Sequence, residues 1–173
     1  IVVNDVCNPI ATSRVDYIIH GASLTSSLDF VNKPVETIWT SIQGIRNILE
    51  FGKDNRVLGI AYLSSLEYYG IPTKQDVNET DLGYLNPTSV RSSYSESKRM
   101  AECMCVSYAS EYKVPVKSIR LAQTFGPGVS ISDNRVFAQF ARSIINGENI
   151  TLHTKGETIR NYCYTADAVP GIL

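Results

Sequence analysis

Two residues in the run Arg91-Ser-Ser-Tyr94-Ser-Glu-Ser-Lys98 are of types that move protons together. Tyr94 and Lys98 stand four apart, so on a helix they share a face. An ammonium held beside a phenol favours the phenolate and lowers its pKa from about 10 toward neutrality. A tyrosine so placed takes a proton from a hydroxyl, or returns one, near physiological pH. A lone Tyr-x-x-x-Lys is a weak motif, and its weight depends on its surroundings.

Those surroundings alternate short β-branched runs with amphipathic stretches, the pattern of an α/β parallel sheet with flanking helices. Asp16 to His20 reads as a buried strand that ends in a small-residue loop. Pro34 opens a helix, and Val35, Ile38, Trp39, Ile42, Ile45, Ile48 and Leu49 keep the helical period up to Gly52. Arg56 to Ser64 reads as the next strand. Glu67 to Ser93 then forms a long loop, of a length that usually carries function. The helix with Tyr94 and Lys98 is expected to run to about Tyr112, before a strand at Lys117–Arg120. Phe125-Gly-Pro-Gly128 signals a turn, and Val136, Phe137, Phe140, Ile144 and Ile145 mark a helix closed by Asn146-Gly147. Ile150–Leu152 and Thr158–Tyr164 read as short strands, and Asp167 as the N-cap of a following helix. In open parallel sheets ligands bind beyond the carboxyl ends of the strands. Here those ends are His20–Ser26, Ser64–Gly70 and Gln123–Gly128, all small or polar.

Composition narrows the function classes. Hydrophobic residues make up 43% and charged residues 19% of the 173, which is enough for a core. A formal charge of −1 gives no electrostatic footprint for nucleic acid or an anionic membrane. No apolar run reaches the length of a membrane span, and a cytoplasmic location is expected. Cys7, Cys103, Cys105 and Cys163 lack Cys-x-x-Cys spacing, so reduced, mostly buried thiols are expected rather than a metal site or disulfides.

Several stretches in order resemble the extended short-chain dehydrogenase/reductases, specifically the NAD-dependent nucleotide-sugar epimerases, dehydratases and decarboxylases. They are Asp5-Val6, His20-Gly-Ala-Ser23, Ser64-Ser-Leu-Glu67 with Tyr69-Gly70, Tyr94 to Lys98, Arg120 to Pro127, and Arg160 to Asp167. The resemblance implies a Rossmann-like NAD-binding domain over residues 1–146 and the start of a substrate-binding part over 147–173. It implies NAD as cofactor, a nucleotide-sugar substrate, and a homodimer formed by two helices per subunit. Trp39 on one helix, with Met100, Met104 and Tyr108 on another, are candidates for that surface, although the same residues could be core.

The resemblance also implies roles. Tyr94 is the acid/base at the sugar 4-hydroxyl, and Lys98 holds the nicotinamide ribose. Ser65 shares the substrate proton. Asp5 and Val6 contact the adenine, Ala22 lines the cofactor channel, and Ser41 stands where a cofactor-contacting asparagine is common. Gln123, Arg135 and Arg160 hold the nucleotide part; guanidinium groups pair bidentately with phosphate oxygens. Structural alternatives stand beside these: Ser65 as a strand-end cap, Arg135 and Arg160 as surface charges, and His20 as a strand-end residue.

Glu67 discriminates among reactions. The resemblance places glutamate there in dehydratases and UDP-glucuronate decarboxylases, and a small or hydroxyl residue in plain 4-epimerases. Once C4 is a ketone, a carboxylate can remove the acidic C5 proton. Dehydratases generally pair that glutamate with an aspartic acid, and here the neighbour is Leu66. Asn86-Pro87, Arg91, Lys98-Arg99-Met-Ala-Glu102 and Thr124-Phe-Gly-Pro127 resemble the decarboxylases, which the reading favours. A 4-epimerase or 4,6-dehydratase is the alternative, and a non-catalytic cofactor sensor or scaffold is a second. The family's glycine-rich loop is not in this sequence, so Ile1 reads as standing at the end of a third strand. The 173 residues are expected to be an internal fragment that alone binds NAD weakly and shows no turnover.

Overall fold

The computed structural model describes residues 1–12, 14–152, 154–156 and 159–173. It divides into two compact units, Ile1–Arg120 and Leu121–Leu173. The boundary expected at residue 146 lies inside the second unit.

In the first unit, strand β1 (Tyr17–His20) is followed by helices α1 (Ser27–Asn32) and α2 (Pro34–Asn55), then strand β2 (Gly59–Ser65). A single 3₁₀ turn, Leu66–Tyr69, leads into the long loop, and helix α3 (Ser92–Tyr112) precedes strand β3 (Val116–Leu121). The sheet order is β1-β2-β3. β1 and β2 run parallel, from Tyr17 opposite Gly59 to His20 opposite Tyr62, so α2 is the crossover between them. This fixes the site: His20 and Ser65 end neighbouring strands on the same edge.

The core lies between α2, α3 and β2. Ile45, Ile48 and Leu49 of α2 meet Ile60 and Tyr62 of β2 and Ala101 and Cys105 of α3. Pro34 at the first turn and Arg56 in the left-handed conformation (φ 51°) bound α2. Met104 and Tyr108 pack against this core, whereas Trp39 and Met100 are exposed.

The long loop is structured. Ile71 and Tyr84 form an antiparallel bridge. Arg99 of α3 ties the loop down, donating from Nε to the Tyr68 carbonyl at 2.8 Å and from Nη2 to that of Gly83 at 2.7 Å.

In the second unit, strand β4 (Gln123–Phe125) pairs parallel with β5 (Tyr162–Tyr164), and helices α4 (Val136–Asn146) and α5 (Thr165–Ile172) complete it. Phe125, Phe137, Tyr162 and Tyr164 form its aromatic cluster. Three expectations are corrected here. Ile150–Leu152 is not a strand. The last strand is only Tyr162–Tyr164; of the longer run expected, Thr158 lies outside the described residues. Asp167 sits within the first turn of α5, whose N-cap is Tyr164. There a carboxylate favours the helix dipole without capping. Among the described residues no helix is long and apolar enough to cross a membrane.

Candidate active site

The first unit brings Ser65, Glu67, Tyr94 and Lys98 together where β2 ends and α3 begins. Ser65 caps the 3₁₀ turn, its Oγ accepting from the Glu67 amide at 3.2 Å. Its hydroxyl also faces Tyr94 and draws the phenol's pKa downward. The cap reading and the functional reading of Ser65 thus describe the same side chain.

Tyr94 is 7% exposed. Burial holds its phenol above the ordinary pKa, Ser65 opposes this, Glu67 adds to it, and Arg91 opposes it weakly. The lowering expected from Lys98 is not what this geometry gives. The Lys98 Nζ donates to the Leu63 carbonyl at 2.9 Å and lies 4.9 Å from the Tyr62 ring centre and 5.6 Å from that of Tyr94. The helical spacing puts both side chains on one face, yet the ammonium lies toward the ring rather than pairing with the phenol oxygen. Burial also lowers Lys98 itself to about 8, against an upward pull from Glu102.

Glu67 is held as a clamped carboxylate. Arg91 donates to it through both terminal nitrogens, at 3.0 and 2.7 Å, and Ser95 Oγ adds a bond at 2.8 Å. The sequence marks Arg91 only by its spacing before Tyr94, and Ser95 not at all. Phe30 was also missed: its ring stacks on Tyr94 at 4.2 Å.

The residues expected to hold a cofactor lie on the β1 side of the same unit. Asp5 Oδ1 accepts from the Cys7 amide at 2.8 Å, and the Val6 carbonyl accepts from the Asn47 side chain at 2.8 Å, which staples this segment to α2. Ala22 is exposed in the loop after β1. Ser41 is 3% exposed, and its hydroxyl is buried without a hydrogen-bond partner. One turn along α2 from it, Gly44 faces Val6 and His20 closely: a Cβ there would lie 3.1 Å from a Val6 methyl. The absent side chain at Gly44 lets the Val6 segment pack against α2, and the unpartnered Ser41 hydroxyl is the feature on this face that fits a polar ligand.

In the second unit Gln123 is half-buried in β4, and Arg160 is exposed before β5. Arg135 is the N-cap of α4, with its guanidinium engaged on Asp133 at 2.5 to 3.1 Å.

A parallel sheet with a crossover helix carries a Ser–Tyr–Lys group at its strand ends, a Rossmann-like arrangement. Residues 3–173 match the NAD dependent epimerase/dehydratase family, and the chain belongs to that family. It is 34% identical over 171 residues to UDP-glucuronic acid decarboxylase 6 of Arabidopsis thaliana, covering 98% of this chain and 49% of the relative. It is 35% identical to UDP-glucuronic acid decarboxylase 1 of Xenopus tropicalis, covering 98% of this chain and 40% of the relative. The chain thus spans about half the length of these relatives or less. Among solved structures, the UDP-glucose 4-epimerase of Thermotoga maritima with UDP-glucose matches with a TM-score of 0.76 at 25% identity, over 91% of this chain and 50% of that one.

Proposed function

We propose that the whole protein is an NAD-dependent nucleotide-sugar enzyme working through transient oxidation at sugar C4, with UDP-glucuronate decarboxylation as its reaction. The carrying observation is the convergence of Ser65, Tyr94 and Lys98 at the β2–α3 junction. Tyr94 Oη takes the proton of the 4-hydroxyl and returns it, and the Ser65 hydroxyl holds that proton's path. Burial keeps the tyrosine protonated until a substrate hydroxyl and a neighbouring positive charge compete for it. Lys98 has donor capacity beyond its one bond to Leu63, enough to hold ribose hydroxyls. Asp5, Val6, Ala22 and Ser41 would hold NAD, which when bound supplies the hydride acceptor. Gln123, Arg135 and Arg160 would hold the nucleotide diphosphate. Residues 1–146 make up the partial NAD-binding domain, and residues from 147 onward begin the substrate-binding part.

The clamp on Glu67 favours decarboxylation over dehydration. A carboxylate whose two oxygens already accept three charge-assisted or hydroxyl bonds has its lone pairs turned to its own neighbours rather than to a C5 proton. Its neighbour Leu66 donates nothing. A β-keto acid needs no such base to lose carbon dioxide. The 4-epimerase and 4,6-dehydratase readings share every other residue. The similarity to two UDP-glucuronic acid decarboxylases supports the same choice. A homodimer with Trp39 and Met100 in its interface, a cytoplasmic location, and no nucleic-acid or membrane partner belong to the same proposal.

The test is the whole protein with NAD and a panel of nucleotide sugars, read by mass spectrometry. Loss of carbon dioxide from UDP-glucuronate is expected. Loss of water would assign the dehydratase reading, and an isomer of unchanged mass the epimerase. No change with any sugar would leave a sensor or scaffold.

A further inference from the structure

Beneath the Tyr94 site Lys98 belongs to a buried ionic cluster whose other members, Glu102 and Arg120, the reaction chemistry leaves unused. Lys98 and Glu102 are four apart on α3 and are 3% and 6% exposed. Consecutive residues of β2 hold them. The Leu63 carbonyl accepts from Lys98 at 2.9 Å, and Ser64 Oγ donates to Glu102 Oε1 at 2.5 Å. Ser65 is the next residue. Arg120 of β3 closes the cluster, its Nε 3.0 and 3.1 Å from the two Glu102 oxygens and its Nη2 2.8 Å from Oε2. Its guanidinium lies 3.5 Å over the Tyr68 ring, and Nη1 donates to the Glu79 carbonyl at 2.7 Å. The carboxylate joins β2, α3 and β3, and Arg120 extends the link to the 3₁₀ turn and the long loop.

The charges around Lys98 give the cluster a direction. On β1 it faces His20, which burial and Lys98 lower to about 4 and so keep uncharged. On β2 it faces Tyr62, a neutral phenol raised by burial. On α3 it faces Tyr94, also raised, and Cys105, a thiol pushed up to about 11. Among the described residues Glu102 is the one carboxyl group whose charge pulls Lys98 upward, and Arg120 holds its far side. A buried ammonium needs such a partner, because desolvation alone favours its neutral form.

We propose that Glu102 is a positioning residue, supplying the counter-charge that keeps the Lys98 ammonium charged and docking the Leu63-Ser64-Ser65 end of β2 onto α3. Its effect on turnover rests on the function proposed above; its effect on Lys98 does not.

The experiment is an NMR pH titration of the whole protein labelled at lysine ε-carbons, without NAD or sugar. The Lys98 resonance is assigned as the one lost in Lys98→Met. Glu102→Gln is expected to lower the Lys98 midpoint by about one pH unit, the size of a single close charge. Glu102→Gln with Arg120→Met removes both members of the ion pair, so no guanidinium is left buried and unpaired. A downward movement, smaller than with Glu102→Gln, is expected there, because the more distant positive charge of Arg120 leaves together with the nearer carboxylate. Glu102→Asp restores the charge, and the midpoint should return toward the parent value. An unchanged midpoint in whichever of the first two variants folds overturns the proposal. The readout needs no catalysis, so failure of the proposed reaction leaves it intact.

Discussion

The ring of Phe30 lies almost flat on the ring of Tyr94, with centroids 4.2 Å apart and planes 12° from parallel. Phe30 is 2% exposed, and its carbonyl accepts from Ser93 Oγ at 2.9 Å, so the six-residue α1 is pinned to the start of α3. The Arg91 guanidinium also lies over the Phe30 ring, at 4.8 Å. One aromatic residue therefore packs against both Tyr94, the proposed acid/base, and the arginine that grips Glu67. Phe30→Ala should cost about 3–5 kcal/mol in urea unfolding, the range for deleting a buried aromatic. Phe30→Leu should cost no more than about 1.5 kcal/mol. It should still slow turnover of the whole protein about tenfold, because Tyr94 loses its flat support. A Phe30→Leu enzyme with parental kcat would show that the stack is packing alone.

Tyr94→Phe removes the phenolic oxygen and keeps the stack. Turnover should fall by about 100-fold or more, the range for a lost general acid/base. The melting temperature and the affinity for nucleotide sugar should change little. Retained turnover would move the proton step to Ser65 or elsewhere.

His20 makes stability depend on acid. Burial, then Lys98, lowers its folded pKa to about 4 from the ordinary 6.5. Between those values the unfolded chain binds a proton that the fold excludes. Stability therefore falls as pH drops from about 6.5 to about 4 and levels off below. At about 1.4 kcal/mol per pH unit the loss is on the order of 3 kcal/mol. His20→Phe keeps a ring against Tyr62 and removes the titration. The difference between parent and variant stability should shrink, then reverse in the parent's disfavour, across that window. A difference independent of pH would mean that His20 titrates alike in both states.

What was legible in the sequence was local. Apolar periodicity placed α2 and α4, a Val/Leu/Ile-rich run placed β2, and α3 was placed as the helix that carries Tyr94 and Lys98. The i, i+4 rule put Tyr94 and Lys98 on one face, but could not tell that the Leu63 carbonyl would hold the ammonium. α1 escaped because Ser27–Asn32 spans fewer than two turns. The Glu102–Arg120 pair escaped because it joins a helix to a strand 18 residues away. Both residues stand in stretches that carry the resemblance, but nothing in their spacing pairs them.

Gly83 tests whether the long loop works as an ordered element. Its amide donates to the Tyr69 carbonyl at 2.8 Å, and its carbonyl accepts from Arg99 at 2.7 Å. A Cβ there would collide with the Ile71 carbonyl and stand 2.6 Å from that of Tyr69, both backbone atoms that cannot swing aside. Gly83→Ala should cost about 1–3 kcal/mol, as overpacking does. It should also speed proteolysis within residues 71–91. Parental stability and protection would mean that the loop accommodates the methyl without its bridge.

Arg91→Lys keeps the charge but loses the fork that meets both oxygens of Glu67. The pair is partly exposed, with side chains 43% and 29% accessible, so solvent screens much of its worth. The stability cost should stay within about 1 kcal/mol. Turnover should suffer more, about tenfold, because Ser95 alone leaves the Glu67 carboxylate free to rotate beside Ser65 and Tyr94. The product mass should not change, since decarboxylation needs Glu67 held still rather than acting as a base. Kinetics and mass spectrometry on the same samples separate the cases. A slower enzyme with the same product supports a clamp that orients. A water-loss product from the variant would mean that Arg91 restrains Glu67 from base chemistry, and an unchanged rate would mean that the clamp serves the fold alone.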